Sequence, residues 1–206
     1  MNIAIPSAKI DLGITDTNQQ WIITAYTLAF GSLLLLGGRI GDYMGRKKIF
    51  LIGLMGFAAA SALGGIASSQ ELLFAARALQ GVFAALLAPA ALSIISVTFT
   101  VPSERAKAFG VIGAISGGGA AIGLILGGAL TEYASWRWCL GVNTPIAIGA
   151  AILAIKFVHE SKAQGDSTYD IPGVVTATAG LFSLTYGFNE AATKGWSSNT
   201  TIGFLI

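Results

Sequence analysis

One cysteine and one histidine in 206 residues leave little room for disulfide, redox or metal chemistry. Cys139 has no second thiol with which to close an internal bridge, and its apolar neighbours make ordinary packing its expected role. His159 has no metal-ligating partners near it in the sequence. Charge is scarce as well. Asp, Glu, Lys and Arg make up 11% of the chain, where a soluble domain carries roughly 25%. That shortage excludes an ordinary water-soluble domain. Short strands of alternating hydrophobicity, which would build a membrane β-barrel, are missing. Also missing are a phosphate-binding glycine loop, a nucleophile beside a base, and a basic n-region with a small-residue cleavage site. An enzyme is therefore the weakest reading, and neither a cofactor, a metal nor a signal peptide is expected. The net charge of +2 gives no reason to expect a nucleic-acid partner.

What the chain has instead is long apolar runs. Hydrophobic residues make up 54% of it and the mean hydropathy is +0.72. A helix needs about 20 apolar residues to cross the hydrocarbon core. Residues 21–38, 49–69, 72–99, 107–130, 137–155 and 171–189 all qualify, and residues 1–8 and 202–206 read as parts of two further spans. The acidic residues all lie in connections or at span ends, and Arg77 is the one basic residue inside a span. A lipid solvent enforces that segregation. Loops 39–48, 100–107 and 156–170 hold Arg39, Arg46, Lys47, Lys48, Arg105, Lys107, Lys156 and Lys162, whereas the opposite set holds only Lys9, Arg137 and Lys194. The cationic loops are expected in the cytoplasm. The pattern predicts an all-α membrane protein.

Glycine is abundant, with 27 residues, many of them inside spans. Small residues let membrane helices approach closely. Gly119, Gly123 and Gly127 recur every fourth residue and share one helix face. That spacing fits static packing against a neighbouring span and a sliding or bending face equally well. Between the first two long spans, Arg39, Asp42, Arg46, Lys47 and Lys48 crowd among Gly37, Gly38, Gly41 and Gly45. A tight charged hairpin is expected there, with Gly41 and Gly45 shaping the turn around the carboxylate.

Gly38, Asp42, Gly45, Arg46 and Lys47 resemble the G-x-L-x-D-x-x-G-R-K signature of the major facilitator superfamily, with Ile40 for Leu and Tyr43 where arginine is frequent. Arg77, Gln80 and Gly81 are similar to that family's R-x-x-Q-G signature. Gly110, Gly119, Gly123, Gly127 and Gly128 are similar to its antiporter motif, G-x8-G-x3-G-P-x2-G-G, with Leu124 in place of the kinking proline. Ser135 to Trp138, Val142 to Pro145, and Gln20-Trp21 with Tyr26 resemble the fourteen-span drug:proton antiporters. So does the run from Asp170 to Gly187 followed by Trp196. The resemblance implies an N-terminal helical bundle over residues 1–158, comprising the tail of span one and spans two to six. A cytoplasmic loop over 159–170 follows, and residues 171–206 supply the extra central span seven and the start of span eight. It also implies that the chain is the N-terminal part of a longer transporter, with a C-terminal bundle as its missing partner.

The function implied is proton-coupled export of small amphipathic compounds or drugs across the cell membrane. The partners implied are a small-molecule substrate, protons and the lipid bilayer. The alternatives are a truncated, non-transporting assembly partner and an importer of the same superfamily. In this reading Gly38, Arg39, Asp42, Gly45, Arg46, Lys47 and Arg105 form a conformational switch. Asp42 meets a helix N-terminus of the opposite bundle, where the helix dipole favours a carboxylate, and Arg39, Arg46 or Arg105 holds it in place. A charge inside a span costs about 2.5–3.5 kcal/mol on insertion scales, so Arg77 is expected to face a cavity with Gln80 and Gly81 beside it. Snorkelling to the interface is the alternative. No buried carboxylate is expected in the chain for Arg77 to tune. Asn143 is expected to contact substrate or another helix, and Thr144 to satisfy locally the carbonyl freed by Pro145. Trp21, Tyr26, Trp136, Trp138 and Trp196 are expected to form an interfacial belt.

Overall fold

The computed structural model describes residues 1–163 and 171–206, so residues 164–170 of the expected 159–170 loop, Asp166 and Asp170 among them, lie outside the described residues. Among the described residues every regular element is helical. A 3-10 turn (Asn2–Ala4) leads into α1 (Ile5–Leu12) and α2 (Asp16–Gln19), followed by α3 (Trp21–Met44), α4 (Arg46–Gly65), α5 (Gln70–Thr98) and α6 (Pro102–Tyr133). Then come α7 (Trp138–Gly141), α8 (Asn143–Phe157), α9 (Ile171–Lys194) and α10 (Asn199–Leu205). Five helices among the described residues are long and apolar enough to cross a membrane: Asp16–Met44, Arg46–Gly65, Gln70–Thr98, Pro102–Tyr133 and Trp138–Phe157. The sixth expected span is α9, which carries Thr176, Thr178, Ser183, Thr185 and Asn189 and is not one of those five.

The expected hairpin is shorter than its composition suggests. Helix α3 does not stop at Gly37 but continues through Gly41 and Asp42 to Met44, and α4 starts at Arg46. The turn is the single residue Gly45, at φ +113, in a region of backbone space that L side chains rarely adopt. Gly41 is helical and does not shape the turn. The other glycines of this stretch serve interhelical packing. A Cβ on Gly37 would lie 2.0 Å from the Ala85 carbonyl oxygen of α5, and one on Gly38 would touch Pro89.

The same logic runs through the bundle. Gly81 of α5 sits against the Tyr26 carbonyl of α3, Gly53 and Gly56 of α4 meet Leu87 and Phe83 of α5, and Gly64 meets Leu140 of α7. Leu54, Ala58, Ala147 and Ala151 seal α4 against α8. At the end of the bundle opposite Gly45, Ala4, Ile5, Ile14, Ile22, Leu73, Trp136 and Leu140 form a second core. Contrary to the belt expectation, Trp136 is 4% exposed and belongs to this core. Its indole N–H donates to Asp11 at 3.0 Å, and Arg137 donates to the same carboxylate oxygen. The bonds from Arg137 and then Trp136 hold the Asp11 carboxyl below its usual range. Trp138 and Trp196 remain exposed.

Helix α6 behaves differently. Among the described residues, Gly110, Gly113, Gly117, Gly118, Gly119, Gly123 and Gly128 have no neighbour within 4 Å of a Cβ position, and Gly127 meets the Cys139 sulfur at 3.9 Å. Static packing against another described span is therefore not what these glycines do. The helix is unbroken for 32 residues, with Leu124 standing in regular helix. The span expected at 137–155 is met by Trp138–Phe157, within which the helical hydrogen bonding is interrupted where α7 passes into α8 at Val142, because Pro145 has no N–H to give the Gly141 carbonyl. Outside the bundle, α9 packs on α3. Thr24 Oγ1 donates to Asn189 Oδ1 at 2.9 Å, and Trp21, Tyr186 and Phe204 cluster nearby. One carboxylate of α9 is buried after all: Glu190 is 3% exposed, with Lys194 Nζ 2.6 Å from its Oε2.

Candidate functional site

A cavity of about 460 Å3 is lined by Tyr26 of α3, Arg77 and Gln80 of α5, Gly119, Gly123 and Gly127 of α6, and Asn143 of α8. Its size falls in the ~300–1,000 Å3 range of small-molecule sites. Four helices thus bring together residues that lie far apart in sequence. Gly110 and Gly128 of the antiporter-type run lie outside the cavity lining, and so does Gly81, whose role is the close approach to α3.

Arg77 is anchored rather than snorkelling. Its Nε donates to the Ile22 carbonyl at 2.8 Å, its Nη1 donates to Gln80 Oε1 at 2.7 Å, and the guanidinium carbon lies 4.5 Å from the Tyr26 ring centroid. Gln80 passes the chain on, its Nε2 donating to Ser61 Oγ at 2.7 Å. Gln80 and Ser61 are buried, at 1% and 0% exposure. In an apolar surround each of these donors would be costly if left unpaired. The guanidinium fork lets one side chain bond both α3 and its own helix, which a lysine could not do in the same plane. Helices α3, α4 and α5 are therefore joined by one polar chain that ends at the cavity wall. Tyr26 is accordingly a partner of Arg77 and not a belt residue. Thr144 does not satisfy its own helix's free carbonyl. Its hydroxyl reaches α4 instead, donating to the Ala58 carbonyl at 3.1 Å.

The Gly45 end carries a second set of contacts. Arg46 donates from Nε and Nη2 to Asp42 Oδ1 at 3.1 and 2.8 Å, so of the three candidate arginines it is Arg46 that holds the carboxylate. Arg39 lies elsewhere, donating to the Tyr43 hydroxyl at 3.0 Å. Arg105 is exposed and donates to the Phe99 carbonyl at 2.9 Å, so it does not join Asp42. Lys47 Nζ reaches the Ile155 carbonyl near the end of α8, at 2.9 Å.

Sequence reasoning missed Glu160. Its carboxylate accepts the first backbone N–H groups of α4, Lys47 N at Oε1 and Lys48 N at Oε2, both at 3.1 Å. Those N–H groups have no intrahelical partner, and the positive end of the helix dipole favours an anion there. The backbone of the same segment pairs with the turn too, through Arg46 N to the Ser161 carbonyl and Ala163 N to the Asp42 carbonyl. The only signal in the sequence was an acid among cations after span six. Nothing local tied it to a helix start 113 residues away.

The family model described as Major Facilitator Superfamily matches residues 1–206. The chain is 54% identical to the puromycin resistance protein of Streptomyces alboniger, over 100% of its own length and 41% of that protein's. It is 41% identical to the cephamycin export protein of Amycolatopsis lactamdurans, covering 95% of the chain and 41% of the relative. It is 36% identical to a multidrug efflux pump of Mycolicibacterium smegmatis, covering 98% and 40%. The chain thus spans about two fifths of the length of these relatives.

Proposed function

The chain belongs to the Major Facilitator Superfamily, a multi-pass membrane protein family of transporters, and on that premise we propose that it is part of an exporter of small amphipathic compounds in the cell membrane, driven by inward proton movement. Names that speak of puromycin resistance, cephamycin export and multidrug efflux among its relatives support the export direction. The observation that carries the reading is the meeting of Arg77, Gln80, Asn143 and the glycine face of α6 on one cavity. A cavity with a fixed cation and a few polar groups on largely apolar walls suits amphipathic molecules of varied shape.

In this reading residues 1–158 form one helical bundle, 159–170 a cytoplasmic loop, and 171–206 the extra central helices. The Gly45 end faces the cytoplasm. A second six-helix bundle, supplied by the rest of the transporter, packs along α6 at exposed glycines outside the cavity lining, such as Gly110, Gly113 and Gly117, where close, low-relief contact lets the bundles rock about a central site. Arg77 itself does not titrate. It acts by stabilising the ionised form of a carboxylate brought to the cavity, so that proton binding and cavity access are linked. Asp42, held in place by Arg46, engages the partner bundle in one of the two access states. Such a contact at a helix N-terminus is worth about 0.3–2 kcal/mol, enough to bias alternating access severalfold.

Asp42→Asn tests the switch. It removes the charge that Arg46 holds while leaving the Gly45 turn and its glycine packing intact. Efflux of a fluorescent cationic dye from energised cells should fall by roughly two- to thirtyfold, with the amount of protein in the membrane near normal. Wild-type efflux at equal membrane levels would remove Asp42 from the mechanism.

A further inference from the structure

A separate cavity of about 560 Å3 lies toward the Gly45 end, between α3, α5 and α9. Leu34 and Leu35 of α3 and Val174 and Ala177 of α9 give it apolar walls, and Arg39 and Asp42 stand at its rim. The charges at that rim are unequal. Asp42 is neutralised by Arg46 at 2.8 Å. Among the described residues Arg39 meets the neutral Tyr43 hydroxyl and ring, at 3.0 Å and 5.2 Å, and no carboxylate forms a salt bridge with it. Among the described residues, then, no carboxylate neutralises the guanidinium that overlooks this apolar groove. Leu34 lies five residues earlier on the same helix, roughly 7 Å deeper at 1.5 Å per residue.

We propose that this groove holds an anionic phospholipid, with an acyl chain along the α3 and α9 walls and its phosphate on the Arg39 guanidinium. The two halves of the site select for the two halves of that ligand. A soluble anion would gain nothing from the leucine and valine walls, and an amphipathic cation would meet Arg39 with the wrong sign. A phosphate offers guanidinium two oxygens in the geometry of a bidentate hydrogen bond. Basic pockets between membrane helices at the cytoplasmic side take anionic headgroups for this reason. The lipid would bridge α3 and α9 at the end away from their Thr24–Asn189 bond, tying the extra helix to the bundle at both ends. The inference rests on membrane insertion with the Gly45 end in the cytoplasm, and stands whether or not the transport reading does.

The test is native mass spectrometry of the delipidated full-length protein, given equal amounts of phosphatidylglycerol and phosphatidylcholine with identical chains. Phosphatidylglycerol should be retained about fivefold better. Arg39→Gln should erase that preference. Ala177→Trp, which fills the groove from α9, should lower retention of phosphatidylglycerol to the level of phosphatidylcholine. Leu35→Trp fills it from the exposed face of α3 and serves if the first filling variant does not fold, as judged by gel filtration and helicity. Glycerol phosphate, which has no chains, should not compete. Equal retention of the two lipids, a preference that survives Arg39→Gln, or full binding in both filling variants would overturn the proposal. Competition by glycerol phosphate would overturn it in favour of a free-anion site. Groove-dependent binding of a cationic dye in place of the lipid would overturn it in favour of a substrate portal.

Discussion

Gly37→Val and Gly81→Val are each expected to strip the membrane of folded protein, lowering its level by about tenfold or more. At Gly37 a Cβ would stand 2.0 Å from the Ala85 carbonyl oxygen, and at Gly81 it would stand 2.4 Å from the Tyr26 carbonyl oxygen. Both obstacles are backbone, which cannot rotate away as a side-chain tip can. The α3–α5 pair would have to part along its length, and overpacking that costs about 1–3 kcal/mol in an adjustable core becomes larger when whole helices must move. Parting them also breaks the bond from Arg77 to the Ile22 carbonyl. Gly149→Val on α8 is the matched control, since nothing lies within 4 Å of its Cβ position. Membrane level by quantitative blot and thermal unfolding of purified protein would separate them. Similar levels for Gly81→Val and Gly149→Val would mean that α3 and α5 do not pack through these glycines.

The second large effect is expected at Arg77. Arg77→Ala removes the one charged side chain among the described residues of the cavity wall, its stacking on Tyr26 and its bond to α3, and leaves Gln80 Oε1 without its donor. Hydrogen bonds to charged groups contribute about 1.5–3 kcal/mol, so a ten- to hundredfold loss of proton-driven efflux in sealed vesicles is expected. Arg77→Lys should recover only part of it, because one ammonium cannot reach the Ile22 carbonyl and Gln80 with the same planar fork. Ser61→Ala, at the far end of the chain, should cost less than about threefold, since hydrogen bonds between membrane helices average about 0.6 kcal/mol. The order Ala, Lys, Ser61→Ala is the signature of a polar chain ending at a working cation. Full activity of Arg77→Ala would reduce the arginine to an anchor of no functional consequence.

Much of the architecture was legible in advance because lipid restricts the possibilities. Apolar runs of about 20 residues with charges confined to their ends have one structural solution, and the helices α3 to α6 fall where those runs lie. What composition misjudged was the meaning of glycine. Gly37 and Gly41 looked like breakers, since in water they weaken a helix. Here α3 passes through them because Gly37 admits the Ala85 carbonyl of α5. The regular spacing of Gly119, Gly123 and Gly127 left static packing and a sliding or bending face equally open, and these residues border a cavity. Spacing says which residues share a face and nothing about what stands opposite.

The candidate site divides along the same line. The pairing of Arg77 with Gln80 was readable because residues three apart share a helix face. The third member, Ser61, sits on another helix and was invisible. The Asp42–Arg46 pair is likewise local, an i,i+4 contact across the Gly45 turn. Glu160, which caps α4, and Asp11, which binds Trp136 and Arg137, depend on contacts across more than 100 residues. Neither residue carries a local signal of its partner.

The central claim is that Arg77, Gln80 and Asn143 surround one aqueous cavity that exported compounds enter. Cysteine accessibility at Asn143 tests it most directly. In a Cys139→Ser background, Asn143→Cys in membrane vesicles should react with a water-soluble maleimide, and an exported compound should slow the reaction. Ile152→Cys, on the exposed apolar face of α8 at 62% exposure, should stay unreactive. A cysteine at Asn143 as inert as the one at Ile152, or labelled at a rate the compound does not change, would contradict the account.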